Sequence, residues 1–436
     1  MSRSSLWRHL APSPSRDLAI HGGRLGSLGN VLPRLPAPPK MPLPSPFHQR
    51  TSELCTSLLW KEWAGYYAVC SYGMSHEPEY HAVRQSAGML DVSPLYKFDV
   101  TGPDATEFLA FVSARNVGKL KPGQVGYGCW CDEHGKVLDD GTVTRWGEQT
   151  YRVTSADPSY AWFSRHARGF DVQVKDVSSD VAALALQGPR ARQILEDVCD
   201  GGGVGDLRFF YGTHSKIDGV PVDVTRTGYT GDLGYELWMP AQDALKVWDA
   251  VTEAGEPHAM LPLGLDALDV CRVEAGFILL GVDYFSARRC MTDVQKSTPY
   301  ELGLGWTVHT KRGPFLGRDA LRREKSTGSV WALVGLVVDW DELEGLYNSF
   351  GLPPQLSSHA WRTAVPVYDQ GSQVGQATSG GWSPILKKNL ALASVHAAHA
   401  VPGKRLQIEV TVEFQRRKVS ATVTETPFFN PDRKRA

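Results

Sequence analysis

One short unit occurs twice in this chain: an apolar strand, a Gly-Pro step, then an amphipathic helix. It reads YKFDVTGPDATEFLAFV at residues 96–112 and VAALALQGPRARQILEDV at 181–198. Side-chain alternation gives way to a 3.6-residue period at the Gly-Pro step. Proline is tolerated there because the first N–H groups of a helix have no intrahelical partner. Two such units require strands and helices in the same domain and suggest an internal structural echo. With 436 residues the chain exceeds one ordinary core, so two or three domains are expected.

The neighbouring segments extend this pattern. EPEYHAVRQSAG (77–88) reads as a helix ending near Gly88. QVGYGCWCDEHGKVLDDGTVTRW (124–146) reads as a β-hairpin turning at His134 and Gly135, with a further strand at YRVTS (151–155). After about Lys325 the helical signal fades. VWALVGLVVDW, VPVYDQGSQVGQATS, LALASV and RLQIEVTVEFQRRKVSATVTE then read as strands of a separate β domain, with a boundary near Ser326 to Ser329. Residues 1–46 are rich in Ser, Pro and Arg, with Asp17 their only acid, and are expected to stay out of the core as a disordered leader. The composition also fits a mitochondrial transit peptide, although the prolines oppose an amphipathic helix. An upstream extension before a start at Met41 fits equally. The resulting division is a leader over 1–46, a two-subdomain body over 47–328 and a C-terminal β domain over 329–436.

Composition excludes several classes. Forty-six basic and 47 acidic residues are interspersed, for a net charge of −1, so the electrostatic footprint of a nucleic-acid binder is missing. No apolar run approaches the ~20 residues needed to cross a bilayer, so no membrane partner is expected. Seven scattered cysteines without a CxxC pair argue for a reducing compartment, with the cytoplasm expected, or the mitochondrial matrix if the leader is a transit peptide. Thirteen histidines without HExxH or a Cys/His array leave no metal site expected.

The stretch RTGYTGDLGYELWMP (226–240) is the most unusual. Gly228 and Gly231 permit tight bends, Tyr229 is offered at a loop tip, and YELWM forms the following strand with Glu236 at its entrance. Such a glutamate is either one side of a surface hairpin or a pocket acid. In the second case its two parallel acceptors match a ligand with two adjacent N–H donors, such as the amino-pyrimidinone edge of a pterin.

RTGYTGDLGYE resembles the signature of the glycine cleavage T-protein (aminomethyltransferase) family. GMLDVSPLYKFDVTGPDA, GKVLDDGTV, ALQGPRA, LGLDALDVCRVEAGFILLGVDY, GLGW and GQATSGGWSPILKKNLALA are similar to its other landmarks, in family order, from about Trp60 to about Phe429. The resemblance implies an α+β, three-domain cloverleaf-like fold, with two α/β folate-binding subdomains, a C-terminal β-barrel-like domain and tetrahydrofolate bound in a central channel. Carried over by position, Asp140 falls on the catalytic aspartate, while Asp139 points to the opposite face of its strand. Tyr229 and Glu236 fall on pterin-contacting positions, Tyr127 on a channel-lining tyrosine and Trp306 on a tryptophan near the folate. Arg272 is either a folate or structural contact in the channel or a helix-surface ion pair with Glu274 or Asp269, the latter disfavoured on spacing. Arg318 reads as a helix-start surface residue that could also meet a tail carboxylate.

Several positions depart from the family pattern. Leu268 stands where many members carry arginine, Pro94-Leu95 where His-Met is usual, and Ser155 where asparagine is expected. The segment YFSARRCMTDVQKSTPYE is longer than the usual link. These departures cluster on the substrate side and point to a changed donor, and Leu95 is placed among the cofactor-binding positions. The resemblance therefore implies transfer of a one-carbon group to tetrahydrofolate, either as an aminomethyl group from a lipoyl carrier protein or as a methyl group from a small methylated compound. A non-catalytic folate-binding accessory protein of the iron-sulfur maintenance type is the alternative, though ARRCMTDVQ around Cys290 matches that branch's cysteine motif poorly.

Overall fold

The computed structural model describes residues 41–436. α1 (His48–Leu54), β1 (Leu59–Trp63), β2 (Tyr66–Ser71) and α2 (Glu77–Gln85) lead into β3 (Gly88–Asp91). The chain then departs to build a five-stranded antiparallel sheet. Its elements are β4 (Tyr96–Thr101), α3 (Ala105–Val112), β5 (Val125–Cys131), β6 (Val137–Gly147), β7 (Thr150–Ser155), α4 (Tyr160–His166) and β8 (Gln173–Asp176), ordered β5-β6-β7-β4-β8. It returns as β9 (Val181–Gln187), which pairs with β3. α5 (Ala191–Val198), β10 (Gly212–Ile217), β11 (Val220–Thr225), β12 (Gly234–Pro240), α6 (Ala244–Gly255) and β13 (Leu261–Pro262) complete a six-stranded sheet ordered β10-β11-β12-β9-β3-β13. After α7 (Leu265–Glu274) and α8 (Arg318–Thr327) comes a closed barrel. It comprises β14 (Trp331–Val338), β15 (Val365–Asp369), β16 (Ser372–Ser383), β17 (Lys388–His396), β18 (Arg405–Val412) and β19 (Gln415–Thr424), with α9 (Trp340–Asn348) after β14.

Both sheets are covered on two faces, and alternation along each strand decides what goes where. On β12, Tyr235, Leu237 and Met239 enter a core shared with α5 and α6, while Trp238 turns to the opposite core beside α7. On β5, Trp130 joins the core under α3 and α4, while Cys129 and Cys131 face the residues after α7. The barrel is filled by Leu336, Val367, Ala377, Ala391, Ala393 and Leu406.

The expected echo is physical. Gly102 and Gly188, the glycines between β4 and α3 and between β9 and α5, have φ of +130° and +128°. A Cβ there would lie 2.6 Å from the Asp171 carbonyl oxygen or 2.5 Å from that of Ser86, so each glycine is required twice over.

Three details differ from expectation. α2 ends at Gln85, and Gly88 opens β3. The fading helical signal conceals α9, nine residues capped by the Asp339 carboxylate on the Glu342 N–H and burying only Leu343. A helix this short with one buried anchor leaves little periodic trace. Of the expected leader, residues 1–40 lie outside the described residues. Its last residues are hydrogen-bonded to the fold: Leu43 exchanges backbone hydrogen bonds with Gly65 and Tyr67, and buried Ser45 donates to Asp91 at 2.5 Å. Among the described residues no helix is long and apolar enough to cross a membrane.

Candidate functional site

Asp140 sits in β6 opposite Cys129 of β5, so its side chain shares a face with that of Tyr127, two residues before Cys129. Tyr127 donates its hydroxyl to one carboxylate oxygen at 2.7 Å, and Tyr284, in the loop after α7, donates to the other. Burial pushes the Asp140 carboxyl above the usual carboxylate range, and the two phenols pull it part of the way back. Asp139 lies on the opposite face, fully buried, where its oxygens accept from the backbone N–H groups of Asp140 and Asp157. Trp306 is 62% exposed and stacks on Tyr127 with ring centroids 6.0 Å apart, so it is not a core aromatic. The Arg115 guanidinium lies 6.0 Å from the Trp306 ring and donates to the Tyr127 carbonyl at 3.0 Å.

The glycine-rich signature is organised around Gln187. Its buried amide donates to the carbonyls of Thr227 and Tyr235 and accepts the Thr230 hydroxyl at 2.9 Å. A Cβ at Gly228 or Gly234 would lie 2.0 or 2.2 Å from the Gln187 side-chain oxygen. Gly228 therefore supplies room rather than a bend, and Gly231, at φ +76°, supplies the bend. Glu236 is half-buried, on the same face of β12 as Trp238, and one oxygen accepts the Thr227 hydroxyl at 2.6 Å. Desolvation pushes its carboxyl up as well. Tyr229 follows two residues after Thr227, stacks on Phe277 at 5.5 Å and donates to the Ile278 carbonyl. Its hydroxyl pKa is raised by burial, drawn down by Arg272 and raised again by the charge of Asp140.

Residues 50–312 match the GCVT N-terminal domain, and residues 350–430 match the glycine cleavage T-protein C-terminal barrel domain. The chain belongs to the glycine cleavage T-protein family. An aminomethyltransferase of Bacillus cytotoxicus is 35% identical over 361 residues, covering 81% of this chain and 90% of that protein. A trimethylamine-oxide aldolase of Ruegeria pomeroyi is 34% identical over 412 residues, covering 92% of this chain and 48% of that longer protein. The crystal structure of the glycine cleavage system aminomethyltransferase T from Bartonella henselae superposes with a TM-score of 0.75 at 26% identity, covering 88% of this chain and 97% of that one.

Within this T-protein fold, Arg272 lies among interior partners, with its Nη2 unpartnered among the described residues. It is buried, and its guanidinium bonds to Asp269 at 2.7 Å, Asp283 at 2.6 Å and Ser379 of the barrel at 3.0 Å. The Asp269 pairing is present, against the expectation from spacing: Asp269 precedes Arg272 by three residues, a spacing that brings side chains together on a helix, and the pair is interior rather than on the surface. Leu95 and Leu268, two of the departures from the family pattern, pack against one apolar cluster that includes Leu90, Val92 and Val270. Ser155, the third, is buried and donates to the Asp157 carbonyl at 2.7 Å. Arg318 starts α8 and pairs with Asp319. The Cys290 thiol is pushed up by burial, the opposite of what a reactive cysteine needs.

Reading by sequence missed Tyr284, Phe277, Thr227, Gln187 and Arg115. Tyr284 lies 144 positions from the acid it touches, a contact that no local pattern encodes.

Proposed function

We propose that this T-protein relative transfers a one-carbon group from a donor to tetrahydrofolate, with Asp140 at the reacting centre and Glu236 gripping the nitrogen edge of the pterin. The observation that carries the reading is a pair of half-buried carboxylates on two different sheets, Asp140 held by the Tyr127 and Tyr284 hydroxyls and Glu236 by that of Thr227. The residues fit such a ligand. The Thr227 hydroxyl donates to one oxygen of Glu236 at 2.6 Å, and the Thr225 hydroxyl lies beside the same carboxylate. The stacked pairs Tyr229 with Phe277 and Tyr127 with Trp306 offer flat faces to a flat heterocycle. When bound, the reduced folate supplies the nucleophilic ring nitrogen that accepts the carbon.

The protein's part is alignment and management of charge. Holding acceptor and donor in register contributes several kcal/mol of barrier reduction. Asp140, fixed between two phenols, orients the accepting nitrogen or stabilises the positive charge that develops as the carbon is gained. We take the donor to be a small methylated compound. Pro94 and apolar Leu268 occupy positions where the family pattern has a histidine and an arginine, and one relative is named for trimethylamine oxide. Aminomethyl transfer from a lipoyl carrier is the competing donor.

Tetrahydrofolate at a hundred times its dissociation constant should stabilise the protein by about 2.7 kcal/mol, read as a thermal shift. Glu236→Gln keeps the shape but weakens the charged acceptor, and is expected to lower folate affinity roughly 10- to 100-fold. Unchanged affinity in this variant would remove Glu236 from the site. Folate-dependent turnover measured with a loaded lipoyl carrier and with a panel of methylated amines and sulfonium compounds assigns the donor.

A further inference from the structure

Asp283 is a buried carboxylate that has no place in the chemistry described so far, yet it is saturated with donors. One oxygen accepts from Arg272 at 2.6 Å and from the Leu279 N–H at 2.9 Å. The other accepts from Thr378 at 2.5 Å and Ser379 at 2.7 Å, both in barrel strand β16. Consecutive residues of a regular strand point to opposite faces, so two adjacent hydroxyls on one oxygen need an explanation. The register of β16 against β17 shifts between Ala377 and Ser379, so Thr378 is an extra residue, a β-bulge. Bulges re-aim side chains, and this one directs both hydroxyls at Asp283.

The residue after Asp283 is Tyr284, which donates to Asp140. The turn that carries them is tight: Asp283 N–H bonds to the Leu279 carbonyl, Gly281 N–H bonds to the Tyr284 carbonyl, and Gly281 has a φ of +82°. Tyr284 is itself 2% exposed.

We propose that Tyr284 is a positioning residue for Asp140, and that the barrel sets its place through the bulge hydroxyls of Thr378 and Ser379 and the carboxylate of Asp283. This deepens the proposed function and rests on Asp140 being the reacting carboxylate. The barrel then acts on the reacting centre without touching substrate, because shifting Asp283 withdraws one of the two hydroxyls that hold Asp140. The ionisable groups facing Asp140 are Tyr127 and Cys129 from β5, Tyr284 from the loop, Tyr229 from the glycine-rich turn and Asp139 beside it in β6. Tyr127 and Tyr284 are the ones that donate to it.

The test is the pH profile of folate-dependent turnover in full-length wild type, Tyr284→Phe and Thr378→Val. Losing a donor to the ionised carboxylate raises its pKa. The acid limb of the Tyr284→Phe profile is therefore expected to move up by about 1 pH unit, with kcat lowered about tenfold and the KM for folate within twofold of wild type. Thr378→Val, on the barrel, is expected to move the limb in the same direction by less. A role in packing alone would lower the yield of folded protein and leave the acid limb in place. An unmoved limb in folded Tyr284→Phe overturns the proposal, and an unmoved limb in Thr378→Val alone overturns the barrel's part in it. If wild type shows no folate-dependent turnover, the proposed function falls. The Asp140 carboxyl is then titrated by carbon-detected NMR in the same proteins, and an equal pKa in wild type and Tyr284→Phe overturns the inference independently.

Discussion

Asp140→Asn is expected to lower folate-dependent turnover by about 10²–10⁴-fold, the range set by removing a positioned acid or base, while folate affinity changes by no more than a few-fold. The amide keeps the size of the carboxylate and can still bond to Tyr127 and Tyr284, so the site should hold its shape. It cannot carry the negative charge that the transfer uses. Burial raises the Asp140 carboxyl above its ordinary value, so the ionised form costs the folded state at neutral pH. Removing that charge should leave the melting temperature unchanged or raise it. The same sign governs wild-type activity: the working carboxylate is lost as pH falls through its raised pKa, so the acid limb lies above the range of a free aspartate. Steady-state kinetics with a folate-binding titration decides the matter. An Asp140→Asn enzyme within fivefold of wild type would sink the assignment.

Arg84→Met should destabilise the protein by about 3–5 kcal/mol, read from the urea midpoint. Arg84 is buried and reaches Glu274 at 2.6 Å and Asp232 at 3.4 Å. Glu274 also takes the hydroxyls of Tyr80 at 2.6 Å and Ser383 at 2.5 Å, and Asp232 takes Arg433 at 2.7 Å. The Phe429 ring covers Arg84 at 4.3 Å. Methionine fills most of the volume but strands a buried carboxylate, and the cost comes from that stranded charge rather than from the lost attraction. Arg84→Met with Glu274→Leu should therefore recover much of the loss. A double variant no more stable than the single one would contradict the argument.

Local rules carry much of the fold in this sequence. The two strand-Gly-Pro-helix units, the hairpin carrying Asp140 and the barrel strands each announce themselves within a dozen or so residues, because alternation and glycine conformation are local properties. The two acids and Trp306 were reachable by position within family landmarks. What escaped is set by tertiary contacts. Gln187 filling the space above Gly228 and Gly234 joins β9 to β12, and Tyr284 reaches Asp140 across 144 positions of sequence. The spacing of three between Asp269 and Arg272 allows their pairing and is legible in the sequence, whereas the burial of that pair, and the bonds from Arg272 to Asp283 and to Ser379 of the barrel, are tertiary.

The five-stranded sheet is nested in the six-stranded one: the chain leaves at Asp91 and re-enters at Val181, and Asp91 pairs with Leu184 three residues further on. A domain inserted this way acts as a staple during folding. Once residues 96–176 have collapsed, their ends lie close together, and the entropic cost of joining β3 to β9 shrinks from that of a long open loop to that of a short one. Pulsed hydrogen exchange during refolding should therefore find the β4–β7 amides protected before those of β3 and β9, and the reverse order would mean that the outer sheet assembles without this help. Synthesis from the N-terminus imposes the same sequence of events, so β3 must wait, unpaired on that edge, until the inserted sheet has been made.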